Sequence, residues 1–267
     1  MATIKTTMQV TRTIRNLWVV RHGERIDKVD PEWIKTAPRG AWDDPPLTEK
    51  GVNQAKEAGK RLRDEEIDYI FCSPFIRCLQ TATAIVGELK ENAKLKLFVE
   101  PGFVEDLSIT QFPPGCLSAK DLHNDFKLID ANYDSFLKDF LPEDNEYVCE
   151  KRIRSTIENL LDKYPGNVLI ISHGSPIAAI HTVLGNTNRD IGYCAISHFV
   201  VTQTTESLPT HNGEVQHDLH KKYKFKCILA GDMKHLSDPT TVVYPVVRPD
   251  DPSKDNAAPP TPMKAPS

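Results

Sequence analysis

Apolar residues along the chain fall into short strand-like runs that alternate with stretches of helical spacing. Leu17-Trp18-Val19-Val20 is an apolar run bounded by polar residues, the pattern of a short buried strand, and the charged stretch Arg21-His22-Gly23-Glu24-Arg25 cannot continue in a core. Residues 67–72 and 94–99 read as further strands, and 167–172 is a second buried run. Between them Val52, Ala55, Ala58 and Leu62 mark a helix capped by Thr48 and reaching about residue 64. Ile76, Leu79, Ala82, Ile85, Val86 and Leu89 mark a second, with Ser73 as cap and Pro74 in its first turn. Residues 149–164 carry a third, stopped by Pro165-Gly166, and Ser175-Pro176 are placed to open a fourth. Beyond about 185 the pattern weakens to strands at 194–203 and 223–229, with Asn212-Gly213 as a turn signal.

The remaining stretches lack a period. Residues 1–16 read as a flexible start, with the folded domain expected over 17–243. Residues 26–46 read as a long surface loop in which Trp33 and Trp42 either anchor a solvated excursion or face a substrate. Residues 107–147, with Leu122, Phe126, Ile129, Tyr133, Phe136 and Phe140 as apolar anchors, are expected to form an insertion covering the pocket. From 244 to 267 the chain is rich in proline and short of core residues, and reads as a disordered tail. Its Pro259-Pro260-x-Pro262 spacing is compatible with an SH3-type groove, against which stands the plainer reading of a solvated tail.

At 267 residues and 39% hydrophobic composition, the chain is long enough for one full core. A formal net charge of −4 provides no field for nucleic acid or an anionic membrane, so any affinity for phosphate must be local. The 6 cysteines stand singly, without metal-ligand spacing, and read as free thiols of a cytoplasmic protein. No apolar run approaches a membrane span. Nothing in the sequence sets the oligomeric state, and a homodimer is compatible with it.

The chemistry gathers where strands end. Arg21, His22 and Arg25 follow the first strand; guanidinium binds phosphate oxygens in a bidentate fork, and imidazole can attack phosphorus. His173-Gly174 repeats that arrangement after the run at 167–172. Arg77 lies in the first turn of a helix, where a ligand role competes with that of a surface arginine. Since ligands of open α/β sheets bind outside the carboxyl ends of strands, these groups can converge at one crevice. Ester cleavage also needs a proton donor, and Glu100, Glu105 and Asp106 compete for that role after a turn at Pro101-Gly102. His181, His198, His211, His217 and His220 have no ligand spacing.

Arg21-His22-Gly23, Ser73-Pro74-x-x-Arg77-x-x-Gln80-Thr81-Ala82 and the second His173-Gly174 together resemble the signature of the histidine phosphatase superfamily, which includes the phosphoglycerate mutases. Glu100-Pro101-Gly102-x-x-Glu105 is similar to a segment of one branch, the suppressors of T-cell-receptor signalling and the ecdysteroid-phosphate phosphatases, whose second glutamate donates the proton. The resemblance implies a phosphoglycerate mutase-like, three-layer α/β/α sandwich with a mostly parallel sheet. It implies a phosphomonoesterase with His22 as nucleophile, Glu105 as acid, and Arg21, Arg25, Arg77 and His173 on the phosphate oxygens. The arginines would keep His22 unprotonated and leave no need for a metal or other cofactor. The expected partner is a phosphorylated small molecule or a phosphopeptide. Phosphoglycerate mutase activity and a silent phospho-ligand module are the alternatives; the mutases usually read Arg-His-Gly-Glu-Ser with a Trp-Asn pair, which this chain lacks.

Overall fold

In the computed structural model, which describes residues 9–91, 93–186, 191–209 and 215–239, strand β1 runs over Gln9–Arg21. Its alternation distributes side chains between two cores. Leu17 and Val19 join Phe71, Val168 and Ile170 on one face, while Trp18 and Val20 join Ile70, Leu169 and Ile171 on the other. Strands β2 (Tyr69–Cys72), β3 (Leu97–Val99), β4 (Val168–Ser172), β5 (Ile196–Pro209) and β6 (Val215–Asp232) complete a sheet of order β3-β2-β4-β1-β5-β6. The first four are mutually parallel, with Val19 opposite Ile170, and β5 and β6 run antiparallel beside β1.

Helix α1 is a short turn at Trp33–Thr36; α2 (Glu49–Leu62) and α3 (Ile76–Val86) pack on the Trp18 face. After the short α4 (Ala119–Leu122), α5 (Glu146–Lys163) and α6 (Gly174–Val183) cover the Leu17 face, completing the three-layer α/β/α sandwich. Fully buried positions such as Leu62, Phe71 and Ile170 each stabilise the fold by about 1.5–3 kcal/mol. Thr48 caps α2 by accepting from the Gly51 amide at 2.9 Å. No helix of the described residues is long and apolar enough to cross a membrane.

Two expectations change, the start of the chain and the start of α3. Residues 9–16 are not a flexible start: they pair with β5, Gln9 opposite Ser207, and their signal is hidden because Val10 and Ile14 are 56% and 73% exposed. Buried Arg15 fills the other face, donating to the carbonyls of Tyr164 and Leu161 and to Gln203. Within 107–147, α4 is followed by irregular chain up to the start of α5; Leu107, Cys116 and Phe140 pack with Phe75 and Val104, the Gly115 amide donates to Asp43, and residues 128–130 run along the sheet edge. The Leu97 amide donates to Leu128 O at 2.9 Å and the Asp130 amide to Leu97 O at 3.0 Å, so the backbone edge of β3 is covered. Finally, α3 opens after Phe75, two residues later than Ser73-Pro74 indicate, because the Ser73 hydroxyl is turned toward His173 and Asp44 accepts from the Ile76 amide at 2.8 Å instead. The tail 244–267, the start 1–8 and the Asn212-Gly213 turn lie outside the described residues.

Candidate active site

Parallel strands end at the same side of a sheet, and the carboxyl ends of β1, β2 and β4 deliver His22, Ser73 and His173 within a few ångströms of one another. The two imidazole rings have centroids 5.2 Å apart at 64°, and both are fully buried. His22 Nδ1 lies 2.8 Å from its neighbour's carbonyl, Gly23 O, which places the proton on Nδ1. Nε2 is buried and has no hydrogen-bond partner. Its lone pair is therefore not used by any hydrogen bond within the described residues.

Gly23 is required for a reason different from ligand approach. A Cβ there would lie 2.4 Å from Gly51 O, and one at Gly51 would lie 2.2 Å from Glu24 O, so two glycines let the turn after β1 pass directly over the start of α2. The Gly23 amide donates to Thr81 Oγ1 at 3.1 Å, tying this turn to α3.

Arg77, 1% exposed in the first turn of α3, donates to Asp43 O at 2.8 Å, and its Nε has no partner. Its guanidinium lies over the Phe75 ring at 4.3 Å. Arg21 donates to Ile191 O at 2.6 Å and stacks on Tyr193 at 4.5 Å, again leaving a buried Nε without a partner. Arg25 differs, since Asp27 accepts from its Nε and Nη2 at 2.7 and 2.5 Å in a bidentate fork. Burial opposes the charge of Arg25, yet that fork raises its pKa; Arg21 and Arg77 are lowered chiefly by burial. Nearby, burial and the Arg25 charge pull Lys28 down to about 8.

Both imidazoles are held well below the ordinary histidine range. For His22 the cause is burial first, then the charges of Arg77, Arg21 and Arg25; for His173 it is burial, then Arg77, His22, Arg25 and Arg21. Ser73 Oγ shares a 2.7 Å hydrogen bond with His173 Nε2, leaving Nδ1 toward the pocket, 3.7 Å from Glu105 Oε2.

The three competing acids separate by their contacts. Glu100 is fully buried and fully occupied, accepting from the Gly102, Phe136 and Leu137 amides and from the Tyr133 hydroxyl at 2.7 to 3.1 Å. Asp106 accepts from the Ser108 amide at 2.9 Å. Glu105 faces the histidines, with Oε2 4.0 Å from Arg77 Nη2. Its backbone is gripped by Arg152, which donates to the carbonyls of Gly102, Val104 and Glu105 and is paired with Glu143 at 2.7 Å. Neither Arg152, Glu143 nor Asp27 stood out in the sequence, and Ser73 was read as a helix cap and part of a motif rather than as a partner of His173. Asp27 alone had a readable signal, a carboxylate two positions from a candidate phosphate ligand.

One ligand atom from each of His22, Glu105 and His173 lies within 4.8 Å of the others, a separation at which nitrogen and oxygen donors can share a divalent cation. The field opposes it, because the three guanidinium groups that add to burial in lowering both rings' pKa values also repel added positive charge. His181 and His198 stay outside the site, the first bonded to Asn186 and Ser197, the second stacked on Trp18 at 3.7 Å. His217 and His220 lie on β6, and His211 is outside the described residues.

An α/β sheet whose strand ends bring several buried cations to two imidazoles can hold a tetrahedral oxyanion beside a ring nitrogen. The chain belongs to the histidine phosphatase superfamily (branch 1), whose family profile matches residues 17–212. It is 28% identical over 241 residues to an ecdysteroid-phosphate phosphatase of Drosophila melanogaster, covering 78% of this chain and 29% of that protein. To the Homo sapiens ubiquitin-associated and SH3 domain-containing protein A it is 30% identical over 220 residues, covering 69% of this chain and 33% of the relative. The chain thus spans about a third of the length of these curated relatives. Two solved structures share the fold. The ecdysone phosphate phosphatase of Bombyx mori in complex with tungstate has a TM-score of 0.57 at 20% identity, covering 76% of this chain and 92% of that one. A phosphoglycerate mutase from Bacillus anthracis has a TM-score of 0.54 at 19% identity, covering 84% and 95%.

Proposed function

We propose that this chain hydrolyses phosphomonoesters through a phosphohistidine at His22. The observation that carries the reading is the buried, unpartnered Nε2 of a ring held neutral by its surroundings. In the first step Nε2 attacks phosphorus, the N–P bond forms, the ester P–O bond breaks, and the departing oxygen takes the proton of Glu105. Water then attacks the phosphohistidine, Glu105 accepts a proton from it, the P–N bond breaks, and inorganic phosphate leaves. Arg21 and Arg77, with buried Nε groups that lack partners, bind the phosphoryl oxygens, and His173 donates to them through Nδ1. Arg25, already paired with Asp27, acts through its charge. No step calls on a metal ion.

The name of the Drosophila relative points to a steroid phosphate as that protein's substrate; a small phosphorylated metabolite or a phosphopeptide in the cytoplasm is the substrate class we assign. Hydrolysis of p-nitrophenyl phosphate in the presence of a chelator tests the reading. His22→Ala is expected to lower kcat/KM by at least about a thousandfold. A variant within about tenfold of the parent contradicts it.

A further inference from the structure

Beside the pocket lies a buried ion pair that the proposed reaction does not use. Arg152 on α5 and Glu143 just before it are 7% and 2% exposed. A guanidinium has five N–H donors, and five oxygen contacts are made here. Nε and Nη2 form a fork on Glu143 at 2.7 and 2.9 Å, Nη1 donates to Gly102 O at 2.8 Å and Val104 O at 3.0 Å, and Nη2 donates to Glu105 O at 3.2 Å. Glu143 Oε2 also accepts from the Leu107 amide at 2.8 Å. The backbone is thus held on both sides of Glu105, in a segment that follows a short 3-10 turn at Pro101–Phe103 and belongs to no strand or helix.

We infer that Arg152 and Glu143 are positioning residues for the Glu105 carboxyl, fixing where its proton is delivered during ester cleavage; this rests on the donor role proposed above. The Glu105 side chain contributes little hold of its own. Oε1 accepts from the Asp106 amide at 3.1 Å, while Oε2 stands 3.7 Å from His173 Nδ1 and 4.0 Å from Arg77. Its direction into the pocket therefore follows from its backbone. Backbone placement matters because a general acid acts only within hydrogen-bond reach of the departing oxygen, and a displacement of about 1 Å can lower a rate about a hundredfold. The pair also couples α5 and the end of the 107–147 segment to the pocket, although neither supplies a group that touches the phosphate.

A leaving-group comparison separates this role from plain structural support. Phenoxide, whose conjugate acid titrates near pH ~10, needs the proton during cleavage, whereas p-nitrophenoxide leaves with little help. Arg152→Met is expected to lower kcat for phenyl phosphate at least about tenfold more than kcat for p-nitrophenyl phosphate, with KM for the two little changed. Glu143→Gln, which keeps an acceptor for the Leu107 amide, is expected to show the same bias to a smaller degree, and it decides the matter if Arg152→Met does not fold. Equal losses on both substrates, or none, overturn the inference. Glu105→Gln is the control. If it shows the bias while the clamp variants do not, the donor reading stands and the positioning role falls; if Glu105→Gln shows no bias, the donor reading fails and takes this inference with it.

Discussion

Two buried arginines stand on either side of residues 102–107 and are used in opposite ways. Arg152 spends its donors on Glu143 and three carbonyls, whereas Arg77 makes a single hydrogen bond, to Asp43 O, and leaves a buried Nε without a partner. Buried polar groups are normally satisfied within the protein. The saturated arginine is part of the scaffold; in the proposed reading Arg77 and Arg21 await a phosphoryl group, and since the Nε of Arg15 also lacks a partner, it is their place beside the two imidazoles that sets them apart. Charge makes the same point, since Arg152 faces a full carboxylate fork while Arg77 and Arg21 face two imidazoles whose pKa values are lowered by burial and then by the arginines' charge.

Substitution at the two arginines should break the symmetry of their burial most clearly. Arg77→Ala is expected to lower kcat/KM by about 10²–10³, the scale of lost transition-state charge stabilisation, with the melting temperature unchanged or raised. Arg152→Met is expected to reduce folding stability by about 3–5 kcal/mol, measured by urea denaturation, because it strands the buried Glu143 carboxylate. If Arg77→Ala destabilises as much as Arg152→Met, the distinction between scaffold and site is lost.

A smaller effect sharpens it. Tungstate or orthovanadate at about a hundred times its dissociation constant should stabilise the folded protein by about 2.7 kcal/mol, seen as a rise in melting temperature, and Arg77→Ala should remove most of that rise. An equal rise in the variant would place the anion elsewhere.

The smallest expected effect is on pH. His22 and His173 have folded pKa values depressed from 6.5, so the unfolded chain takes up these protons first as pH falls. Their contribution to stability is therefore intact above about 6.5 and declines below it. Asp44, raised to about 6 by burial, works in the opposite direction, so the bare slope is ambiguous. The comparison with His22→Asn isolates the histidine part: its melting temperature should fall less steeply than the parent's between pH 6.5 and more acid values. Equal slopes would mean that the ring is not held neutral by its surroundings.

What could be read from the chain divides along the same line. Arg21, His22 and His173 were legible because each follows an apolar run that must end, so strand and site signals reinforce one another, whereas for Arg77 the pattern left a surface arginine open and the resemblance pointed to the site. Arg152 and Glu143 act on backbone carbonyls and an amide far away in sequence, and no spacing encodes such contacts. The first half of β1 was hidden for a related reason: residues 10–14 are exposed on both faces and the buried position 15 holds an arginine, so no apolar alternation marks it. Glu100, Glu105 and Asp106 competed on the residues alone and the resemblance favoured Glu105; the four bonds that occupy Glu100 give a physical reason to set it aside.

The central claim is that the bare nitrogen of His22 becomes covalently attached to phosphorus. A rapid alkaline quench of the protein mixed with a ³²P-labelled monoester, followed by peptide mapping, tests it most directly. The account expects acid-labile, base-stable label on the peptide containing His22, absent in His22→Ala and accumulating when hydrolysis of the intermediate is slow. Product release with no protein-bound label at any time, or label retained in His22→Ala, would contradict it.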